Sequence, residues 1–390
     1  MARAFADQWR LVLKDVGVLI FFIALPIAYP IAYTLVYNPE VLEKMPVAVV
    51  DHSRTAESRD LVRKIGATPA VEIYDYYANL QDARRPVDEN KVFGILEISP
   101  DYAKAIGRGE TGHVTFYCDM ALMLRFRTFA FDLTNVQIAE IGDITGERLD
   151  MVGAESLTTG MPVDSESYML GDPQQGFASF VMPGILILIL QQSMVLGAVM
   201  IMGTSRQRRR RNNGFDPCMP VEGPSYAIVW GKALCYTFFY IAPTLFALHF
   251  IPVIFKLPHI GSPVQYLLFV LPFLLASAFF GISFGAFARD RESAFMQVVV
   301  TSVLFLFLSG LTWPRFAMPE AWQIVGDFVP ATWAVEGFIQ INSNNATLAD
   351  VATNYHWLWG LVAAYSITAS LAQYWLRHTF IRKKNKKANA

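Results

Sequence analysis

The sequence predicts an α-helical polytopic membrane protein. It has six transmembrane helices, an α+β extracytoplasmic domain inserted after the first, and a re-entrant helical hairpin before the last. Three observations predict this. Apolar residues make up 54% of the 390 residues and charged residues only 17%, against about 25% charged in soluble domains. The apolar residues gather in runs near the ~20 residues a helix needs to cross a bilayer. The Lys and Arg residues of the short connections then fall on alternate sides.

Residues 1–14 read as an amphipathic helix. Phe5, Trp9, Val12 and Val16 recur at helical spacing, with Arg3, Asp7, Arg10 and Lys14 on the opposite face. Such a helix lies in the membrane interface, either as a plain anchor or as a lever between a cytoplasmic partner and the first span.

Six spans follow, at Asp15–Tyr37, Phe177–Gly203, Tyr226–Phe255, Val264–Ala288, Ser293–Leu311 and Trp357–Phe380. The first is too long for a secretory signal and no small-residue cleavage site follows it, so it reads as an uncleaved anchor. With the N-terminus inside, the inner segments hold Arg3, Arg10 and Lys14, then Arg206 and Arg208–Arg211, then Arg289 and Arg291, then Arg377 and the basic tail of residues 381–390. The short outer loops hold only Lys256 and Arg315. Both termini are therefore expected in the cytoplasm and residues 38–176 outside. Topology and anionic lipid are sufficient reasons for the basic clusters. The net charge of −1 gives no general case for nucleic acid.

The inserted segment is long enough for its own core. Pro46–Asp51, Val71–Tyr74, Val92–Ile98 and Val114–Tyr117 read as strands. Ser53–Gly66 and Pro100–Ile106 read as helices, and a long helix is expected from Leu122 to about Val152. Asp51, His52 and Ser53 are adjacent, but adjacency is not a catalytic triad. No G-x-S-x-G or H-E-x-x-H motif occurs. No catalytic residue and no metal site is expected, since Cys118, Cys218 and Cys235 lie in three separate regions.

Polar residues inside the spans mark helix contacts or a substrate path. Gln191, Gln192 and Ser193 sit in the middle of span two, and Gln297 and Ser302 in span five. An amide in an apolar setting must face protein or water. Ser277, Gly281 and Gly285 put small residues on one face of span four, for close packing within the subunit or at a dimer seam. Residues 313–341 read as two short helices punctuated by Pro314, Pro319 and Pro330, too short to span. Irregular backbone at membrane depth is tolerated only against protein or water. Asp327 and Glu336 within it either line a cavity or sit solvated at the outer interface.

Val47-Ala-Val-Val-Asp51, Phe93-Gly-Ile-Leu-Glu-Ile-Ser-Pro-Asp101, Phe180-Val-Met-Pro-Gly184, Ser309-Gly-Leu-Thr-Trp-Pro314 and Phe328-Val-Pro-Ala-Thr-Trp333 occur in this order along the chain. In this the chain resembles the permease subunits of type-2 ABC exporters, the bacterial drug and lipid export class. The resemblance implies an inner-membrane permease moving hydrophobic or amphiphilic substrate. It implies a second permease chain, identical or paralogous, and a cytoplasmic ABC ATPase holding ATP and Mg. The chain itself lacks a G-x-x-x-x-G-K-[ST] loop and binds no cofactor on this reading. An outer-side adaptor and membrane lipids are further expected partners. ATPase coupling would fall to Phe5, Trp9 and Arg10 and to the connection of residues 204–225. Within and beside that connection, the coupling residues are Arg208, Arg209, Arg210, Arg211, Gly214 and Lys232. The connection departs from the family pattern, with an arginine run where an acidic residue and a Gly-Thr pair are usual. The competing reading is a membrane-anchored receptor or assembly factor whose outer domain binds a protein without transport.

Overall fold

Asp15 stops one helix and starts the next. Helix α1 (Ala2–Lys14) ends as Asp15 turns to extended backbone, φ −101° and ψ 99°. The Asp15 carboxylate then accepts a hydrogen bond from Val18 N at 3.3 Å, capping α2 (Val16–Tyr37). The computed structural model describes residues 1–37, 43–118, 123–151, 176–212, 216, 218 and 223–388. The chain divides into two units, residues 39–168 and the remainder. In the second turn of α2 the winding widens to a π-helix over Ile20–Ala24. Phe22 of this turn is fully buried, with Tyr236 and Tyr240 edge-on at 5.3 and 5.2 Å.

Residues 39–168 form an α+β unit. Its strands are β1 (Met45–Asp51), β2 (Val71–Tyr76), β3 (Gly94–Ile98) and β4 (Val114–Cys118), in the order β2-β1-β3-β4. Strand β1 runs parallel to β2 and β3, and β4 is antiparallel to β3. Both faces of β1 are covered, so its Val-Ala-Val-Val run is continuously apolar. Val47, Val49, Leu96 and Ile98 face α3 (Ala56–Gly66), with Phe129 of the long helix in the same core. Ala48, Val50 and Ile95 face α4 (Leu80–Asp88). The sequence reading missed α4, because its polar stretch carries Pro86. Helix α5 (Tyr102–Arg108) passes Gly107 and stops at Gly109, which takes the left-handed conformation at φ 81°. Helix α6 (Met123–Met151) completes the unit. The Asp51 carboxylate is occupied locally, accepting from Ser53 N, Arg54 N and Ser58 Oγ. His52 turns instead to Glu97. The Asp51-His52-Ser53 sequence is thus a helix entrance with a capping box at Thr55 and Ser58.

The remaining helices are α7 (Phe177–Arg211), α8 (Ser225–Phe255), α9 (Pro263–Gly285), α10 (Arg291–Leu308), α11 (Glu320–Asp327), α12 (Pro330–Asn344) and α13 (Ala352–Ala388). Among the described residues, five helices are long and apolar enough to cross a membrane: α2, α7, α8, α9 and α10. Helix α13, where the sixth span was expected, has the length but is not among the five. The centre of the bundle is α7, with 78% of its most apolar stretch buried, against 22% for α2 and for α10. Helix α9 lies against it through two glycines. A Cβ on Gly281 would meet Val195 and Ala198, and one on Gly285 would meet Val199 and Met202. Gly281 and Gly285 therefore serve packing within the subunit, and Ser277 on the same helix is fully buried.

Candidate functional site

Coupling residues were expected at the N-terminal helix. Helix α1 is docked on α8 by aromatic side chains and one buried polar bond. Trp9 stacks on Phe239 at 4.2 Å and meets Phe238 edge-on at 5.5 Å, and Phe5 meets Phe238 at 6.4 Å. Gln8 Nε2 donates to Tyr236 Oη at 2.7 Å, out of contact with solvent. The helices approach this closely because Gly231 has no side chain. A Cβ there would lie 2.7 Å from Met1 O and 2.9 Å from Ala4 Cβ. Phe5 and Trp9 are thus spent on the α1–α8 contact, while Arg10 stays on the exposed face. At the far end of α1, Arg291 closes a two-toothed ion pair on Asp15, both contacts at 2.9 Å. The N-terminal helix is therefore fastened to α8 along its length and to the start of α10 at its end.

The second group of coupling residues needs correction. Arg208–Arg211 are not loop residues: α7 continues through them, and they form its last turn. Nor does the connection lack an acidic residue. Asp216 is fully buried and accepts from Arg208 Nε at 2.8 Å, Ser205 Oγ at 2.5 Å and Cys218 N at 3.1 Å. Burial works to raise the Asp216 pKa, but the Arg208 and Ser205 hydrogen bonds outweigh it and hold the carboxyl below its ordinary value. Lys232 was expected at the coupling surface and is instead only 2% exposed, inside the bundle. Arg206 reaches Ala288 O at 2.5 Å, and Gly203 is pressed against the backbone of Asp290, so the α9–α10 turn is clasped to α7. Gly214 lies outside the described residues.

The five polar residues singled out in spans two and five each make a hydrogen bond to protein. Gln191 Oε1 accepts from Ala331 N, Gln192 Nε2 donates to Ser302 O, and Gln297 Nε2 donates to Phe284 O. Ser193 Oγ donates to Ile189 O and receives Tyr240 Oη, while the Ser302 hydroxyl bonds back to Val299 O in its own helix. Four of these side chains, Gln191, Gln192, Ser193 and Gln297, tie α7, α8, α9, α10 and α12 together.

The two hairpin helices, α11 and α12, follow a short 3₁₀ turn at Arg315–Ala317 and are separated by Pro330, with Pro314 and Pro319 before α11. Arg315 is the hub missed by sequence reasoning. It pairs with Asp327, approaches Glu336 at 3.8 Å and lies 4.5 Å above the Trp333 ring. Trp333 in turn stacks on Trp357 at 4.8 Å. Asp327 and Glu336, 28% and 48% exposed at their side chains, share this cation rather than facing an enclosed cavity. Nearby, His249, His259, Tyr266 and Asn342 form a chain of contacts at 2.9 to 3.2 Å. No spacing in the sequence announces this cluster. Among the described residues, no three of His, Cys, Asp and Glu group to hold a metal ion.

The profile of the ABC-2 family transporter proteins matches residues 16–371. The chain is also 22% identical, over 334 residues, to a linearmycin resistance permease of Bacillus subtilis (strain 168). The match covers 79% of this chain and 82% of that protein.

Proposed function

Because the chain belongs to the ABC-2 transporter family, we propose that it is the membrane permease of an ATP-driven exporter of hydrophobic or amphiphilic compounds, served by a separate cytoplasmic ABC ATPase. On this reading α13 is the sixth span, both termini are cytoplasmic, residues 38–176 lie outside the inner membrane, and a second permease chain completes the path. The arginine bias of the connections supports that orientation. Similarity to a resistance permease supports export as the direction.

The observation that carries the coupling scheme is the fastening of α1 to α8 by Gly231 and Trp9, and to α10 by Asp15 and Arg291. A push on α1 or on the end of α7 is thereby passed to three spans at once. The ATPase supplies the nucleotide chemistry. This chain's part is to exist in two arrangements that the nucleotide state favours unequally. Gln191, Gln192, Ser193 and Gln297 serve as helix ties in one of those arrangements rather than as a polar pathway.

The test is reconstitution. The chain is co-expressed with candidate ABC ATPases, purified in mild detergent and placed in liposomes. Retention of an ATPase and ATP-dependent movement of an amphiphilic fluorescent probe are expected. Failure to retain any ATPase, together with ATP-independent probe distribution, would overturn the reading in favour of a receptor or assembly role.

A further inference from the structure

Two histidines from different elements meet ring to ring. His249 belongs to α8, in a π-helical turn over Phe246–Phe250, a winding frequent at functional sites. His259 lies in the connection between α8 and α9. His249 Nδ1 and His259 Nε2 are 2.9 Å apart, and both rings are half-buried. The connection is pinned to α12: Ile260 N donates to Asn342 O at 3.1 Å, and a Cβ on Gly261 would strike Ile341 O and the Tyr266 hydroxyl. The surrounding hydrogen bonds assign the protons. Asn342 is 2% exposed, and its Nδ2 donates to Pro258 O at 3.0 Å. Its Oδ1 therefore faces His259 Nδ1 at 2.9 Å and also accepts from Tyr266 Oη at 3.2 Å. An amide oxygen only accepts, so His259 Nδ1 carries the hydrogen and Nε2 presents a bare lone pair. Tyr266 stacks on the same ring at 4.8 Å and fixes its plane. Metal-bound histidines are held in this manner, the far N–H given to a carbonyl or carboxylate.

We propose that His249 Nδ1 and His259 Nε2 together bind one divalent transition-metal ion of the zinc class. The ion takes the place of the hydrogen now shared between the two rings. Two imidazole nitrogens ~2.0–2.1 Å from one tetrahedral zinc stand about 3.4 Å apart. The rings therefore open by about 0.5 Å from their present separation and tip off the line that joins them. The His249 hydrogen moves from Nδ1 to Nε2, so the ring stays neutral and its Nδ1 lone pair is freed to ligate. Closed structural zinc sites use four protein ligands. Here water completes the shell, which makes the site exchangeable. Imidazole suits zinc, copper and nickel, whereas magnesium takes oxygen ligands. A bound ion would fasten α8 to the connection that follows it and, through Asn342, to α12. The site does not depend on the transport reading.

The test uses the full chain without a histidine tag, purified in uncharged detergent, stripped with EDTA and freed of the chelator. Equilibrium dialysis against zinc chloride should find zinc on the protein that excess magnesium chloride does not displace. His249→Gln and His259→Gln should each weaken that binding at least tenfold, while His52, His113, His356 and His378 remain in place. Copper(II) chloride added to the parent gives a reading that needs no variant. Its paramagnetic resonance spectrum should show two coordinated nitrogens, and this spectrum decides if neither variant folds. Absence of bound zinc in the parent overturns the proposal. So does zinc affinity unchanged in the folded variants, or a copper spectrum without two nitrogen ligands, since either result places binding away from this pair.

Discussion

Gln191 Oε1 accepts a hydrogen bond from the backbone N–H of Ala331 at 2.6 Å, and both residues are completely buried. Ala331 is the second residue of α12. The first, Pro330, has no N–H, and the residue before it, Val329, offers no side-chain acceptor. Gln191 therefore caps this helix from another one. Gln191→Leu would orphan the Ala331 N–H, a loss of about 1–3 kcal/mol. It would also remove the Gln191 amide nitrogen, which has no partner among the described residues, so the net loss should lie near the lower end, about 1 kcal/mol. Equilibrium unfolding of the two proteins measures it. Equal stability would show that Ala331 finds another acceptor.

Gly231 sets the distance between α1 and α8. The atoms a Cβ would strike include backbone atoms of Met1 and Phe5, which cannot rotate away. Gly231→Ala should therefore lift α1 from its seat rather than deform α8. Replacing a mid-helix glycine by alanine favours the helix by about 1 kcal/mol, so global stability should change little. Local opening should not: amide exchange over residues 2–14 should quicken about tenfold, the factor that 1.4 kcal/mol gives. Unchanged exchange in that segment would mean the contact is looser than its geometry.

The Asp15–Arg291 pair is two-toothed but half in solvent, with side chains 23% and 39% exposed. Exposed pairs contribute about 0.2–1 kcal/mol, and two-toothed geometry places this one at the upper end. A double-mutant cycle with Asp15→Asn, which keeps a capping oxygen for Val18 N, and Arg291→Gln should give a coupling of about 1 kcal/mol. If the pair carries motion from α1 to α10, either variant should lower ATP-driven transport more than its stability loss explains. A coupling within error of zero would remove the pair from the mechanism.

How far the sequence disclosed this arrangement depended on periodicity. Runs such as Phe177–Met202 announce a helix because apolar character at that length has few other uses. Val47–Val50 announces a doubly covered strand for a similar reason. The arginine run misled: Arg208–Arg211 look like a loop by charge, yet arginine is a good helix former and favours a helix C-terminus. Asp216 was passed over beside the arginine run, and Lys232 was misplaced because burial at a polar position comes from partners distant in sequence: Gln373 lies 141 residues from Lys232. Arg315 and the His249–His259 pair share that origin. Their roles follow from contacts that no local pattern encodes.

The histidine pair makes the connection of α8 and α9 sensitive to pH. His249 Nδ1 and His259 Nε2 are 2.9 Å apart, and the other ring nitrogen of His259 meets Asn342 Oδ1 at 2.9 Å. His259 sits between the two helices. Burial holds its imidazole below the ordinary value of 6.5; the Asn342 bond opposes this and His249 adds to it. The folded protein thus binds a proton at His259 less readily than the unfolded chain does. Its stability contribution is complete above pH 6.5 and is lost as pH falls through 6.5 toward the depressed folded value, by at most about 1.4 kcal/mol per pH unit. Unfolding midpoints measured from pH 8 to pH 5 should therefore fall at the acid end, and His259→Gln should flatten that fall. Parallel curves for parent and variant would assign the acid sensitivity to other groups and leave the histidine contact a pH-independent tie.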